Sequence, residues 1–157
     1  MQNGSFQNNP LMKLTITFTL VFLIGFWITN FALYFSKMDL TPDSVEAYYL
    51  GSEAAFTMPR TFQSMLEVTH AHLAVQALVI LLITHLLLFS PYSKRAKIAF
   101  VVCGFSFALL NEAAGWLVRF VHPDFSVLKV CAFIAFQGTL GFLIFILLKF
   151  MLQKQSR

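Results

Sequence analysis

Charged residues are scarce in this sequence. They make up 11% of its 157 residues, whereas a soluble globular domain carries roughly 25%, and this shortage excludes an ordinary soluble domain. Aromatic residues are abundant instead, at 16% of the chain with 19 phenylalanines. That abundance and the mean hydropathy of +0.73 exclude a disordered chain, which needs few aromatics and a high charge density. The composition therefore indicates an integral membrane protein.

Cysteine is also scarce, and the common enzyme signatures are missing. Cys103 and Cys131 lie inside apolar runs, in neither a C-x-x-C redox motif nor a zinc-knuckle spacing, so we interpret both as small buried hydrophobic residues. The sequence contains no dinucleotide-binding glycine motif, P-loop, G-x-S-x-G or H-E-x-x-H. Its basic residues form no stripe, which excludes nucleic acid as a partner. Catalytic residues, and whether the protein is an enzyme at all, stay unknown at this point.

Four long apolar runs predict membrane-spanning helices. About 20 predominantly apolar residues are enough for one helix to cross a bilayer. The sequence holds four such runs, at 14–35, 62–89, 98–118 and 130–148. They predict an all-α integral membrane protein, built as a four-transmembrane-helix up-down bundle in a single membrane domain, 1–157.

The only long connection between these runs, 37–61, is predicted to contain a short interfacial helix. Thr41 offers an N-cap, Pro42 suits the first helical position, and Asp43 places an acid in the first turn. Gly51 can end the helix. Its apolar side chains would lie on the lipid headgroups, so that the helix covers one end of the bundle.

Basic residues are distributed unevenly between the two ends of the predicted bundle. Seven of the 11 lie in the N-terminal segment, the 90–97 loop and the C-terminal end: they are Lys13, Lys94, Arg95, Lys97, Lys149, Lys154 and Arg157. Because basic residues favour the cytoplasmic side, this distribution predicts a multi-pass protein of a bacterial-type inner membrane with both termini in the cytoplasm. The 37–61 loop is then predicted to face outward.

Several polar residues lie inside the predicted spans. An ionisable side chain at membrane depth costs roughly 2.5 to 3.5 kcal/mol on insertion scales, so each one is a candidate functional residue. The second span carries Glu67, His70, His72, Gln76 and His85. The third carries Asn111 and Glu112, with Trp116, Arg119 and His122 toward its outward end.

Helical geometry divides the polar residues of the second span into two faces. At 100° per residue, Glu67, His70 and His85 fall on one stripe, whereas His72 and Gln76 point to the opposite side. One regular helix therefore cannot present both groups to a single site, and we take the stripe with His70 as the candidate functional face.

Depth along the helices predicts a polar cluster near the outward end. His70 and Glu112 each lie eight residues from that end of their span, roughly 12 Å deep, and so are level. Arg119 is a candidate ion-pair partner for the acid, and the indole of Trp116 is placed either to donate to Glu112 or to line a pocket. The predicted cluster comprises Glu67, His70, Glu112, Arg119 and His122.

One hypothesis is that this cluster binds a transition metal through Glu67, His70 and Glu112. The Glu67-x-x-His70 spacing is similar to that of the carboxylate di-iron bundles, in which the two side chains face the same way. One chain supplies half of such a ligand set. A complete two-metal site would need a two-fold homodimer.

A second hypothesis is a b-type haem. His70 and His85 are 15 residues apart on one stripe, a separation similar to that of the stacked haems in cytochrome b-like bundles. His72 and His122 are the remaining candidate imidazoles. No histidine lies in the other three spans, so the opposite ligand would come from a second copy or from a partner membrane or redox subunit, in keeping with a role in electron transfer.

Two further hypotheses need no cofactor. Buried polar pairs often fix helix packing without chemistry, which would make the chain a non-catalytic assembly or scaffold protein. Alternatively, the intramembrane acid belongs to a proton or ion pathway. The sequence leaves these alternatives open.

The charge distribution predicts that Gly51 lies outside the cell and Arg95 inside it. Single-cysteine labelling of intact cells with an impermeant reagent tests this orientation. Gly51→Cys is expected to react and Arg95→Cys to stay protected. Reaction of Arg95→Cys alone would show that the orientation is inverted.

Overall fold

The computed structural model describes residues 9–152 and confirms an all-α membrane bundle. Five helices follow one another: α1 (Pro10–Phe35), α2 (Pro42–Leu50), α3 (Phe62–Leu87), α4 (Lys94–Phe120) and α5 (Phe125–Leu152). All except α2 are long and apolar enough to cross a membrane. Lys154 and Arg157, which contribute to the predicted charge asymmetry, lie outside the described residues.

Helices α1 and α4 begin before their apolar runs because polar residues cap them. The Oδ1 atom of Asn9 accepts hydrogen bonds from the backbone N–H groups of Leu11 and Met12 at 3.0 and 3.3 Å, which starts α1 before the hydrophobic run. Ser93 caps α4 in the same way, through the N–H of Ala96 at 3.3 Å. An N-cap satisfies backbone donors that lack an intrahelical partner, so it determines where a helix begins even where the residues are polar.

Helix α2 confirms the predicted short helix in the 37–61 connection. Thr41 Oγ1 accepts from the backbone N–H of Ser44 at 3.4 Å, and Pro42 occupies the first helical position. Gly51 ends the helix with φ +84°, and a Cβ atom there would lie 2.6 Å from the carbonyl oxygen of Thr57. Only glycine adopts this conformation without strain, so a cysteine label for this loop belongs at the exposed Ala54 rather than at Gly51.

Helix α5 is the centre of the bundle. In its most hydrophobic 18 residues 56% are buried, against 17% for α1 and for α3, and it packs against each of the other four helices. A helix that is apolar all round suits either a protein core or a membrane span. α5 keeps an exposed face, which includes Ile134, Phe142 and Phe145, but other helices cover more of it than of α1, α3 or α4.

Helix α1 is attached mainly to α5. The indole Nε1 of Trp27 donates to the backbone oxygen of Gln137 at 2.9 Å, and the rings of Tyr34 and Phe133 stack with centroids 3.7 Å apart. Each attachment pairs one residue of α1 with one of α5, and α3 is not among the helices that α1 packs against closely.

The cysteines do not both lie in the interior. Cys103 is half-buried and Cys131 is exposed on the outer surface of α5. The prediction that both are buried is therefore wrong. A thiol behaves as a small apolar group, so it is compatible with a lipid-facing position as well as with the core.

The packing of Trp27 against α5 predicts that alanine has different effects at two glycines of that helix. A Cβ atom at Gly141 would lie 2.7 Å from the Trp27 ring, whereas one at Gly138 would meet nothing within 4 Å. Gly141→Ala is expected to lower the free energy of unfolding by about 1 to 3 kcal/mol through overpacking. Gly138→Ala is the matched control and should leave stability unchanged or raise it, because alanine favours a helix. Thermal unfolding in detergent compares the two, and equal midpoints would show that α1 is not seated on Gly141.

Candidate functional site

A layer of polar side chains separates two apolar clusters of the core. On α3, this layer contains His72 and Gln76, which lie between Met65 and Ile80 in the sequence. On α4, it contains Asn111 and Glu112. Met65 belongs to the cluster at the α2 end of the bundle and Ile80 to the cluster at the other end. At about 1.5 Å per residue, His72 lies on the order of 15 Å from the start of α3, near the middle of a bilayer core of about 30 Å.

Glu112 is the acid at the centre of this layer. Its Oε1 atom lies 2.8 Å from Nδ1 of His72 and accepts from Nε2 of Gln76 at 3.2 Å. An ionised carboxylate can only accept, so with Glu112 ionised the imidazole is the donor, through its Nδ1–H. The Glu112 side chain is 9% exposed and that of His72 is 39% exposed, so the histidine connects a buried acid to a more open surface.

Lys129 supplies a second buried charge from the other side of the layer. Its side chain is 7% exposed, and its Nζ atom donates to the backbone oxygen and to Oδ1 of Asn111 at 2.8 and 2.9 Å. In residues 9–152 the ion pairs within 4.0 Å are those of His72 with Glu112 and of His122 with Asp124. Lys129 therefore belongs to the same polar layer as Glu112 but forms no ion pair with its carboxylate within 4.0 Å.

Three polar atoms of this layer are buried without a hydrogen-bond partner. They are Nδ2 of Asn30, Oε1 of Gln76 and Oε1 of Gln137. The orientation of the Gln76 amide follows from Glu112, since the amide nitrogen must face the carboxylate. Its oxygen is thus directed away from the one hydrogen-bond partner that the amide has in residues 9–152.

All these groups line one chamber of about 100 Å³. A water molecule needs roughly 10 to 15 Å³ of such volume, so the chamber has room for about seven to ten water-sized groups. Asn30, Gln76, Glu112, Lys129 and Gln137 all contribute to its wall.

A cleft of about 560 Å³ adjoins the chamber between α1 and α3. Four residues line both spaces: Asn30, Leu33, His72 and Gln76. The rest of the cleft wall is almost entirely apolar and consists of Phe26, Thr29, Ala32, Ala71 and Val75. The cleft exists because α1 packs on α5 instead of on α3, and it joins the polar chamber to the side of the bundle.

Helix α2 closes the end of the chamber. Tyr49 reaches Gly115 of α4 so closely that a Cβ atom there would lie 2.7 Å from the phenol oxygen, and burial raises the pKa of this phenol above its usual range. The Tyr49 hydroxyl is therefore protonated at physiological pH. Next to it, the Arg60 guanidinium lies 4.2 Å from the centroid of the Tyr48 ring, a cation–π contact at the chamber mouth.

A family model described as a transmembrane helical domain, Aq_1264_TM, matches residues 39–157, about three quarters of the chain. The chain belongs to this family. No curated protein and no solved structure shows a significant match to it. The part that matches the Aq_1264_TM domain includes His72, Glu112 and Lys129, whereas Asn30 and the rest of α1 precede it.

The polar layer of this Aq_1264_TM domain lies on the face of α3 opposite the predicted functional face. Glu67 and His70 are exposed on the surface of the bundle, and Glu67 accepts a hydrogen bond from Gln63 of its own helix at 3.0 Å. The division of α3 into two faces agrees with the structure, but the prediction that His72 faces away from Glu112 is wrong. His72 turns inward because its face also carries Met65 and Ile80, which pack in the core.

The other residues of the predicted cluster are dispersed at the α2 end. Arg119 donates from Nε to the backbone oxygen of Arg60 at 2.6 Å and makes no ion pair with Glu112, so the predicted pairing is wrong. The Trp116 indole donates to Thr69 Oγ1 at 2.9 Å rather than to the acid. His122 is exposed beside Asp124.

The proposed cofactor ligands do not converge within one chain. In residues 9–152, no three His, Cys, Asp or Glu side chains come together in a way that could hold a metal ion. His70 and His85 are both exposed on α3, and no described residue of α1, α4 or α5 offers a histidine within its span that could face either of them. The donor set of a single chain therefore does not fit a haem or a metal centre.

Lys129 is a site residue that the sequence pattern does not reveal. The hydropathy pattern starts the last span at residue 130, which places this lysine in a loop among the outward basic residues. α5 begins at Phe125 instead, so Lys129 lies inside the helix and reaches inward. Asn30 and Gln137 are visible in the sequence as the polar residues of the first and last spans, but nothing in their spacing shows that they share a chamber.

The central position of Glu112 predicts a large effect of removing its carboxylate. Glu112→Ala leaves His72, Gln76 and the nearby Lys129 ammonium without a counterpart, and we expect it to lower the free energy of unfolding by about 3 to 5 kcal/mol. Glu67→Ala, which removes an exposed acid from the opposite face of α3, is the control and should change stability by less than about 0.5 kcal/mol. Thermal unfolding in detergent compares them. Equal destabilisation would contradict the assignment of Glu112 to a buried polar network.

Proposed function

We propose that this protein binds the polar head of a lipid-soluble molecule in its intramembrane chamber, and that the ligand reaches the chamber sideways from the bilayer. The observation that carries this proposal is the separation of two buried charged residues, Lys129 and Glu112, which line the same chamber without an ion pair. The space between them is suited to a polar group from outside the chain.

The unsatisfied polar atoms support a binding role over a purely structural one. Two opposite charges buried for packing alone would gain most from direct contact, yet Glu112 contacts His72 and Gln76 while Lys129 contacts Asn111. The amide oxygens of Gln76 and Gln137 also lack partners, although buried polar atoms are nearly always hydrogen-bonded. A ligand that supplies hydrogen bonds inside the chamber accounts for all of these groups together.

The cleft between α1 and α3 supports access from the bilayer. Its wall includes Phe26, Leu33 and Val75, and its inner end reaches His72 and Gln76. An apolar passage that ends at polar side chains matches an amphiphile whose tail stays in the lipid while its head enters the protein. α2 covers the end of the chamber, which leaves the side of the bundle as the more direct route.

The orientation of the bundle is part of the proposal. The excess of basic residues at the end opposite α2 supports cytoplasmic termini in an inner membrane. In that orientation the α2 end of the bundle, and the chamber with it, is nearer the outer face of the membrane. The ligand would be drawn from the bilayer at that depth.

A haem or metal shared between two copies of the chain is the second candidate. The observation that favours it is the exposure of His70 and His85 along the outer surface of α3, where a second bundle or a redox subunit could approach them. A visible spectrum and metal analysis of the purified protein test it. A preparation with neither a Soret band nor a stoichiometric transition metal would eliminate this candidate and leave the chamber proposal intact.

Blocking the cleft is expected to abolish ligand retention. Ala71 lines the cleft and Ala74, one turn further along α3, lines neither the cleft nor the chamber, although both are exposed. Ala71→Trp should fill the passage between α1 and α3. Native mass spectrometry of protein released from native membranes is expected to show a retained lipid-soluble molecule in the wild type and in Ala74→Trp, and its loss in Ala71→Trp.

The paired tryptophans separate access from a general effect on folding. If Ala74→Trp loses the ligand as well, the cleft is not the route. The proposed function is wrong if the wild type retains no lipid-soluble molecule and also binds none of decylubiquinol, dioctanoylglycerol and dioctanoyl phosphatidic acid. The chamber then holds only water.

A further inference from the structure

We infer that the chamber selects a neutral head group that carries both a hydroxyl donor and an oxygen acceptor, and that it disfavours an anionic phosphate. This inference rests on the proposed function and specifies the ligand class. It follows from the pattern of unsatisfied donors and acceptors and from the balance of charge on the chamber wall.

The unsatisfied acceptors call for a donor on the ligand. Oε1 of Gln76 and Oε1 of Gln137 are buried carbonyl oxygens without partners, and these two side chains are 8% and 3% exposed. The contact of the Gln76 amide with Glu112 prevents it from turning its nitrogen into the chamber. A hydroxyl group satisfies such oxygens, whereas a phosphate, which has lone pairs in the same place, is repelled by them.

The unsatisfied donors call for an acceptor on the same ligand. An ammonium has three N–H donors, and Lys129, which lines the chamber, uses two of them on Asn111, so one donor remains for a ligand. Nδ2 of Asn30 is a second donor without a partner. A carbonyl or hydroxyl oxygen accepts from these groups, so a ligand with one donor and one acceptor completes both sides of the chamber.

The charges of the polar layer itself offer no net attraction to an anion. The ammonium of Lys129 and the carboxylate of Glu112 have opposite charges and line the same small space. Two further cations, Lys37 and Arg60, line the same chamber at the end that α2 covers, where both lie over the ring of Tyr48 with centroid distances of 6.0 and 4.2 Å. A phosphate in the polar layer would therefore face two glutamines and a carboxylate with one lysine to compensate it, and Lys37 and Arg60 would attract it only at the α2 end.

Two kinds of membrane molecule share this chemistry. A quinol has two hydroxyl groups on a ring, and a diacylglycerol has one free hydroxyl beside ester carbonyls. Both are neutral and carry apolar tails that fit a lipid-facing passage. The aromatic wall formed by Tyr34, Phe133 and Phe136 suits a flat ring, but the hydrogen-bonding pattern is common to both.

The inference is tested by comparing how tightly the protein binds three short-chain probes. Full-length protein in phosphatidylcholine nanodiscs is incubated under nitrogen with decylubiquinol, with dioctanoylglycerol or with dioctanoyl phosphatidic acid, and the bound fraction is measured by native mass spectrometry. At least one neutral probe is expected to bind with a stoichiometry of one, and phosphatidic acid is expected to bind at least tenfold more weakly. The neutral probe that binds identifies the source of the head group.

Gln137→Leu gives an independent test because it should weaken probe binding without lowering the stability of the protein. Removal of one hydrogen-bond acceptor is expected to lower the affinity for the neutral probe by about three- to tenfold. The unfolding midpoint of the ligand-free protein should stay unchanged or rise, since an unsatisfied buried acceptor is lost. Gln63→Leu, on the exposed face of α3, is the control and should not alter probe binding.

The outcomes distinguish this inference from the proposed function. Phosphatidic acid that binds as tightly as the neutral probes would overturn the inference and leave the binding function standing. Unchanged neutral-probe affinity in Gln137→Leu would also overturn it. Failure of all three probes, together with an empty wild-type preparation, would overturn both.

Discussion

The packing of α5 against every other helix is the contact on which the rest of the molecule depends. Because α5 is apolar nearly all round and is buried along more than half of its most hydrophobic segment, the remaining helices are arranged around it. α1 then has its main seat on α5, through Trp27 and Tyr34, and leaves a gap toward α3. The cleft is thus a geometric consequence of a central helix with four neighbours.

The same central helix explains why a polar chamber forms at membrane depth. α5 carries Lys129 and Gln137 on turns that face α3 and α4, where His72 and Glu112 are already present. Lipid tails offer these groups no hydrogen bonds. The side chains therefore bond to one another wherever the positions of their backbones allow contact. The backbones permit the contacts of Glu112 with α3 and of Lys129 with Asn111, but not the contact between the two charges.

Much of the fold is predictable from the sequence, whereas the site is predictable only in part. Hydropathy identifies four spans, and the Thr41-Pro42 signal identifies α2, because both depend on local chemistry. The division of α3 into two faces is also local. Which face turns inward depends on the neighbouring helices, and ionisable residues alone favour the wrong one: His70 attracts attention, whereas the packing of Met65 and Ile80 brings His72 to Glu112.

Lys129 shows why charge patterns mislead at the ends of spans. A lysine near a helix start is ordinarily an interfacial anchor with its charged head in the headgroup region, and it is therefore counted as part of a loop. Here α5 begins four residues earlier, at Phe125, and the side chain extends into the bundle to reach Asn111. A buried lysine of this kind costs stability unless something compensates it. Asn111 compensates it in part. The lysine also lines a chamber whose wall includes Gln76 and Gln137, each with an unsatisfied amide oxygen, and this combination is the strongest physical reason to regard the polar layer as a binding site rather than a packing device.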